Sequence, residues 1–295
     1  MCDRNCVIII VGCGRVENIN LENIHKKLTE SIKEYVELIK KEYGIHMPIE
    51  VIHRLNNIDD YSQILRIYDY GEVSAYASEE EIVMPLCADK LLKIASKVPG
   101  YGINKKHKSY NDENIIVNNN TFLTYIMQVF ISGTDTEGYY DDLLLHEVMH
   151  FCGSDGASVL KEGINELLTR MLAKKYNLRT NSCGYPKEVK LAYDLMNCFG
   201  DNIIIKLAFI KGFENELNFI RENLGDDAAN LYFQVCNTAE KEFNEKYYSH
   251  MSEFSGAIGI AKKVLFYKRI DYSNIHQMID NYTNSLSDNN EFKHR

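Results

Sequence analysis

The spacing of hydrophobic residues changes along the chain and predicts different elements at its start and its end. Val7–Val11 is an unbroken β-branched run bounded by glycines, which is typical of a buried strand. Over Leu21–Tyr43, apolar residues recur at the spacing of one helix face. Pro48 interrupts this pattern, and the mostly apolar run Ile49–Ile52 predicts a short second strand. The predicted order at the start is therefore strand, helix, strand.

Helices are predicted from the middle of the chain onward. Asp141 and Asp142 form a good N-terminal capping pair for a helix from Leu143 to about Cys152. A second helix is expected over Ser158–Tyr176, and from Glu188 onward the period is helical almost throughout. Breaks in this helical pattern are expected at four glycines, Gly200, Gly212, Gly225 and Gly256.

The remaining stretches complete the predicted organisation. Residues 100–120 are rich in Asn and Gly and predict loops, an apolar stretch follows over 122–131, and the polar tail 285–295 is expected to fray. Together the elements predict an α+β fold. Residues 1–152 would form an α/β half, and residues 153–295 an all-helical half.

The charge and the hydropathy of the chain exclude two classes of partner. The 295 residues contain 33 Lys and Arg against 42 Asp and Glu, a formal net charge of -9. Because binding to phosphate backbones needs a basic surplus, we expect no nucleic-acid partner. The apolar run Val7–Gly12 is far shorter than a membrane helix, so no membrane partner is expected. Ile10–Cys13 matches the cleavage pattern of bacterial lipoproteins, but the short apolar run favours a buried strand.

The cysteines indicate a reducing compartment. Eight cysteines are scattered along the chain with no CxxC pair, so we expect reduced, mostly buried thiols and a cytoplasmic protein. The turn at residues 12–14, Gly-Cys-Gly, lacks the third glycine of a dinucleotide-binding loop, and the helix begins several residues later. A dinucleotide site is therefore not predicted there.

The sequence His146-Glu147-Val148-Met149-His150 is an HExxH motif. On a helix, residues four apart lie on the same face, so both imidazoles can bind one zinc ion. Glu147 is rotated by about 100° around the axis and can act beside the metal as a general base without binding it. Since the motif's neighbours are uncharged, its helix suits a buried position. The alternative is an ordinary core helix with two hydrogen-bonded histidines and an exposed glutamate.

A catalytic zinc site needs a third protein ligand, and the next predicted helix offers two candidates. Glu162 and Glu166 are four residues apart and share a helix face. One of them can bind the metal while the other accepts a hydrogen bond from the far nitrogen of a histidine. The alternative is a solvated acidic helix face.

HExxH followed by a helix with the pattern EGxxE resembles the gluzincin branch of the zincin metallopeptidases. The likeness covers roughly residues 141–212 and is greatest to largely uncharacterised bacterial HExxH proteins that carry this helix and a Gly-Tyr-Pro turn, here residues 184–186. The resemblance implies a zincin-like α/β half that contains the active-site helix. It also implies that Glu162 completes a zinc site with His146 and His150, and that Glu166 supports a histidine.

Two departures from the gluzincin pattern leave alternatives open. The 11 residues between His150 and Glu162 are fewer than in thermolysin or the aminopeptidases, so a tight turn is required, which Gly153 and Gly156 allow. Aligning residues 164–166 with the thermolysin pattern would instead make Glu166 the ligand, but Arg170 would then stand in place of the supporting carboxylate. We expect Glu162 to be the ligand.

The metzincin pattern is a second possibility, because His150 is followed by Phe151, Cys152 and Gly153. Asp155 falls one residue short of the third-ligand position of that pattern, and Gly156 occupies the position itself. No suitable Met-turn follows before the helix at 158, which favours the gluzincin alternative.

The expected activity is hydrolysis of a peptide bond in a peptide or protein substrate, with zinc activating water and Glu147 acting as the general base. Tyr185, in the Gly-Tyr-Pro turn, is the candidate for stabilising the transition state, and its alternative role is that of a packed surface aromatic. A catalytically silent zinc-binding protein and a helical partner-binding protein are the other functions considered. The sequence does not set the oligomeric state.

Overall fold

The computed structural model describes residues 6–11, 15–68, 75–85, 136–153, 158–178, 185–253, 262 and 265–293, and most of these described residues are helical. The helices are α1 (Leu21–Tyr43), α2 (Ile49–Asn56), α3 (Thr136–Cys152), α4 (Val159–Tyr176), α5 (Pro186–Phe199), α6 (Asp201–Leu207), α7 (Phe213–Leu224), α8 (Asp226–Lys246) and α9 (Ser273–Lys293). The strands are β1 (Cys6–Val11), β2 (Arg15–Asn20), β3 (Leu65–Tyr68), β4 (Tyr76–Ala77) and β5 (Ile82–Pro85). Short 3-10 turns lie at Gly44–His46, Tyr61–Gln63 and Tyr248–Glu253.

The strands form two small sheets. β1 and β2 pair antiparallel, and Val11 pairs with Arg15. The second sheet has the order β3-β5-β4, with β3 parallel to β5 and β4 antiparallel to it. Both β4 and β5 contact α3. Mainly helical structure over the described residues, with a small mixed sheet packed against α1 and α3, confirms the predicted α+β class.

Several predicted elements are confirmed. β1 and α1 lie where the apolar patterns placed them, and α4 begins directly after Ser158. The Ser158 hydroxyl accepts a hydrogen bond from the Lys161 backbone N–H at 3.2 Å, which satisfies one of the free amides of the first turn. Three of the predicted glycine breaks separate helices and have positive φ angles: Gly200, Gly212 and Gly225. Glycine adopts this backbone conformation without a steric penalty.

The strand predicted over Ile49–Ile52 is wrong, because these residues form the first turn of α2. Pro48, at φ -56°, directly precedes that turn and favours a helix start. Leu55, three residues after Ile52, is the buried residue of this short helix. A short apolar run fits a strand and a helix equally well, and the spacing to Leu55 is what favours the helix.

Two helix boundaries also differ from the prediction. α3 begins at Thr136, so Asp141 and Asp142 lie inside the helix and do not cap it. Asp costs at most about 0.7 kcal/mol relative to Ala inside a helix, which is too little to stop the helix from beginning earlier. At the other end of the chain, α9 continues as a helix to Lys293, through the polar tail from Ser285 that the sequence predicts to fray. Polarity alone does not end a helix that lacks Pro and Gly.

Some predictions lie outside the described residues. These are the turn at residues 12–14, the loops at 100–120, the apolar stretch at 122–131, the turn glycine at 156 and the break at 256. The division of the chain at residue 152 stays a prediction. Within the described part, one hydrophobic core includes residues from both predicted halves, from Ile32 on α1 to Val235 on α8.

α3 is central to this core. Leu144, Leu145, Val148 and Met149 are all at most 1% exposed, so the helix is covered on several sides. α1 packs against one side of it and α4 against another. No helix within the described ranges combines the length and the apolar composition needed to cross a membrane.

α4 is held on both sides by neighbouring helices. The Tyr43 hydroxyl on α1 donates a buried hydrogen bond to the Leu168 carbonyl at 3.1 Å. On another side, α5 approaches α4 so closely at Gly163 that a Cβ there would collide with the Glu188 backbone. Glycine at this position is therefore a requirement of the α4–α5 crossing.

Candidate metal centre

The two histidines of the HExxH motif lie on one face of α3, as the four-residue spacing predicts. Their rings are 4.7 Å apart between centroids and meet edge to face. His146 is 6% exposed and His150 is partly buried. The end of this helix is held by Arg54, which donates to the Phe151 carbonyl at 2.6 Å and to the Glu79 carbonyl at 2.9 Å. The C-terminal turn that carries His150 is thus fixed to α2 and to the segment before β5.

Glu162, on the first turn of α4, completes a triangle of ligand atoms with the histidines. The two Nε2 atoms are 3.0 Å apart, and Oε2 of Glu162 lies 3.3 Å from the His146 Nε2 and 3.2 Å from the His150 Nε2. Zinc held tetrahedrally with bonds of about 2.05 Å would separate its ligand atoms by about 3.3 Å. These three residues form the one group of potential metal ligands found within the described ranges. The spacing and the donor types both fit zinc.

The first turn of α4 is anchored from two sides, which fixes the position of Glu162. The Val159 N–H donates to the Glu240 carboxylate of α8 at 3.1 Å. Lys161 is 1% exposed, and its ammonium donates to Glu216 at 2.7 Å and to the carbonyl of Leu207. A buried cation is tolerated here because it has a charged partner and further acceptors.

Glu166 contacts the opposite edge of the His146 ring. Its Oε2 lies 2.9 Å from the His146 Nδ1, and the residue is 2% exposed. Glu166 is thus placed to accept the Nδ1–H hydrogen bond, which leaves the Nε2 lone pair facing the triangle. Its other oxygen, Oε1, accepts a hydrogen bond from the Arg170 Nε at 2.9 Å. The geometry thus separates the two carboxylates, with Glu162 beside Nε2 and Glu166 beside Nδ1.

Asn165 is a site residue that the sequence reasoning missed. It is completely buried, and its side-chain nitrogen lies 2.6 Å from the His150 Nδ1. Asn165 is the one residue of the described part with a buried side-chain polar atom, Oδ1, that lacks a hydrogen-bond partner. The signal in the sequence is a polar residue three positions after Glu162, a spacing that puts both side chains on one helix face.

Glu147 is not one of the three ligand residues, but it interacts electrostatically with all of them. It is 5% exposed, and burial raises the pKa of its carboxyl above the usual range while the neighbouring histidines act in the opposite direction. A carboxyl group whose pKa is raised toward neutrality is suited to taking up and releasing a proton.

Tyr185 immediately precedes α5 and packs against the site. Its ring stacks on the His146 ring, with centroids 5.8 Å apart and an interplanar angle of 20°. The residue adopts the left-handed backbone conformation, with φ 48° and ψ 44°, which is uncommon for a residue that has a Cβ. Tyr185 is 37% exposed, and the negative charge of Glu162 raises its pKa above 10, so the phenol remains a hydrogen-bond donor.

The ionisable ligands affect one another strongly. Burial opposes ionisation of Glu162, but the charge of His150 and hydrogen bonds to both imidazoles outweigh it, and the pKa of Glu162 lies well below its usual range. Burial alone would lower the pKa of His146, but hydrogen bonds and charge from Glu162 and Glu166 raise it well above 6.5. The carboxylates of Glu162 and Glu166 thus favour positive charge at this position.

The three cysteines whose side chains are described are not among the potential metal ligands. Cys152, Cys198 and Cys236 are all free thiols. Burial raises the pKa of Cys152 to about 12, which makes it unreactive at neutral pH. The metzincin candidates Asp155 and Gly156 lie outside the described residues.

Comparison with models of known protein families, with the curated proteins and with the solved structures finds no match to this chain.

Proposed function

We propose that this protein is a zinc-dependent metallopeptidase of the gluzincin type. The observation that carries the proposal is the triangle formed by His146 Nε2, His150 Nε2 and Glu162 Oε2, whose three sides of 3.0–3.3 Å suit a tetrahedral zinc ion. Three protein ligands leave a fourth position open, which is the arrangement of a catalytic site rather than a closed structural one. The finer, zincin-like fold of the first half is part of this proposal, supported by the small sheet that contacts α3.

Each residue around the triangle has a role in the proposed reaction. Bound zinc supplies Lewis acidity that polarises the scissile carbonyl and promotes ionisation of water. Glu147 takes the proton of the attacking water and passes it to the leaving amine. The Tyr185 phenol donates a hydrogen bond to the developing oxyanion. Glu166 orients His146 by accepting its Nδ1–H.

The site favours zinc over the hard cations. Magnesium and calcium prefer six or more oxygen ligands, whereas two imidazole nitrogens and one carboxylate oxygen form a typical zinc set.

A peptide or protein is the proposed substrate, and the cytoplasm is the proposed compartment.

Metal content tests the proposal directly. We expect one zinc per chain in the purified wild-type protein, measured by mass spectrometry after expression with added zinc. His150→Ala and Glu162→Ala should both lose it, because two ligands do not hold zinc against dilution. Glu166→Ala should retain zinc with weaker affinity, since Glu166 is placed beside Nδ1 and not beside the triangle. The matched control is His276→Ala, which removes a histidine paired with Asp194 at 2.5 Å on other helices.

The outcomes separate the proposed functions. A wild-type protein without zinc would overturn the metallopeptidase proposal. Loss of zinc in Glu166→Ala with retention in Glu162→Ala would exchange the roles of these two carboxylates. One zinc per chain without cleavage of any member of a diverse peptide library would favour the catalytically silent zinc protein.

A further inference from the structure

Arg170 continues the row of contacts that starts at the metal ligands, and this arrangement rests on the proposed zinc site. Its Nε donates to Oε1 of Glu166 at 2.9 Å, while Oε2 of the same carboxylate lies 2.9 Å from the His146 Nδ1. A line of three side chains, Arg170, Glu166 and His146, therefore leads to the ligand atom Nε2. We propose that Arg170 is a positioning residue that acts on the metal through Glu166.

The position of the Glu166 carboxylate explains why it needs a second partner. Glu166 is 2% exposed, so water does not solvate its charge, and a buried carboxylate is stable only when it is paired and hydrogen-bonded. A glutamate side chain also has three rotatable bonds, and a hydrogen bond to one carboxylate oxygen does not by itself fix the plane of the carboxylate. The Arg170 contact at Oε1 fixes the second oxygen and with it that plane.

The contact between Glu166 and Arg170 costs little conformational entropy, because one helix holds both residues. Glu166 and Arg170 are four residues apart on α4, so their side chains lie one turn apart on the same face. The Arg170 side chain is 31% exposed, and its guanidinium reaches from the surface toward the buried carboxylate. In the gluzincin alignment that makes Glu166 the ligand, Arg170 replaces a supporting carboxylate. In the structure Arg170 instead donates to a carboxylate that contacts the proposed metal ligand His146.

Two effects of Arg170 on zinc binding oppose each other. Its positive charge repels a cation at the site, whereas its hold on Glu166 orients the ligand His146. Because the guanidinium is partly exposed and three contacts from the metal, solvent screens the repulsion. Loss of outer contacts of metal-binding histidines weakens metal affinity by about 10–100-fold. We therefore expect orientation to outweigh repulsion.

The experiment measures zinc affinity by competition with a chromogenic chelator, together with the melting temperature of each metal-free protein. Arg170→Gln should weaken zinc binding about tenfold, and Arg170→Lys should recover part of that loss because it keeps a cation near Glu166. The matched control is Lys190→Gln, which breaks another ion pair four residues apart, that of Lys190 with Asp194 at 2.9 Å on α5. This control should not change zinc affinity.

A double-mutant cycle shows whether Arg170 acts through Glu166. In a Glu166→Gln background, Arg170→Gln should have no further effect on zinc affinity. Three results would overturn the inference: affinity unchanged within twofold in Arg170→Gln, affinity that rises, or equal losses in the Gln and Lys variants. A wild-type protein that binds no zinc would overturn the proposed function and this inference together, whereas normal wild-type binding with an unaffected Arg170→Gln overturns the inference alone.

Discussion

The side-chain nitrogen of Asn165 lies 2.6 Å from Nδ1 of His150. A neutral His150 can bind a metal through Nε2 only as the tautomer that carries its proton on Nδ1. If the amide nitrogen donates to Nδ1, the imidazole proton is on Nε2 and blocks the ligand position. Rotation of the amide by 180° brings the unpartnered Oδ1 to the same place, where it accepts an Nδ1–H bond and frees the Nε2 lone pair. Zinc binding should therefore select the second orientation.

Substitution of Asn165 tests this relationship. Asn165→Leu keeps a similar volume but removes the acceptor for Nδ1–H, so zinc affinity should fall about tenfold. Asn165→Asp offers only acceptor oxygens and should retain most of the affinity. Both are measured by chelator competition. The control is Thr169→Val. Thr169 is buried, and its hydroxyl donates to the backbone carbonyl of Asn165 and not to a histidine. Equal affinity of the Leu variant and the wild type would contradict the assignment.

Glu147→Gln separates metal binding from turnover. The amide fits the same buried space but cannot take a proton from water, so the variant should keep one zinc per chain and lose at least about 100-fold in kcat. Zinc content and cleavage of a peptide that the wild type hydrolyses are the two measurements. A variant with full activity would rule out Glu147 as the general base.

Gly163→Ala tests the close crossing of α4 and α5. The new Cβ would collide with the carbonyl group of Glu188, which is backbone and cannot rotate away. We expect the free energy of unfolding to fall by about 1–3 kcal/mol or more, measured by urea titration. Gly44→Ala is the matched control, because the nearest atom to a Cβ there is the end of the Ile52 side chain at 3.9 Å. Similar small effects at both glycines would show that the crossing has room for a methyl group.

The contact between Tyr43 and Leu168 predicts how stability changes at alkaline pH. Burial raises the pKa of Tyr43 above its ordinary value of 10. Because the folded state keeps the phenol neutral, this contribution is complete below pH 10 and is lost as the pH rises through the folded-state value. Tyr43→Phe should cost about 1 kcal/mol at pH 7 through the lost hydrogen bond. Above pH 10, however, its melting temperature should fall less steeply than that of the wild type.

Melting curves between pH 7 and pH 11.5 measure this difference. Tyr193→Phe serves as the control, because the Tyr193 side chain is 52% exposed and should not change the slope. Parallel loss of stability in the wild type and Tyr43→Phe would show that Tyr43 does not contribute to the alkaline transition.

Some features of this protein were determined by local sequence alone. The spacing of His146 and His150 places them on one helix face whatever surrounds them, because four residues make about one helical turn. The same holds for Glu162 and Glu166 on α4, for the Ser158 cap, and for the breaks at glycines with positive φ. These depend on backbone geometry within a few residues. The predicted strand at Ile49–Ile52 is wrong because this run is too short to distinguish the period of a strand from that of a helix.

Other features were decided only by the tertiary structure. The sequence offered Glu162 and Glu166 as alternative ligands, and the depth and rotation of α4 against α3 placed one beside the Nε2 atoms and the other beside Nδ1. The stacking of Tyr185 on His146 likewise depends on how closely α5 approaches at Gly163. Helix periodicity fixes which residues share a face. It does not fix which face packs against another helix, or the distance between side chains on the two helices. That choice belongs to the packing of the whole core.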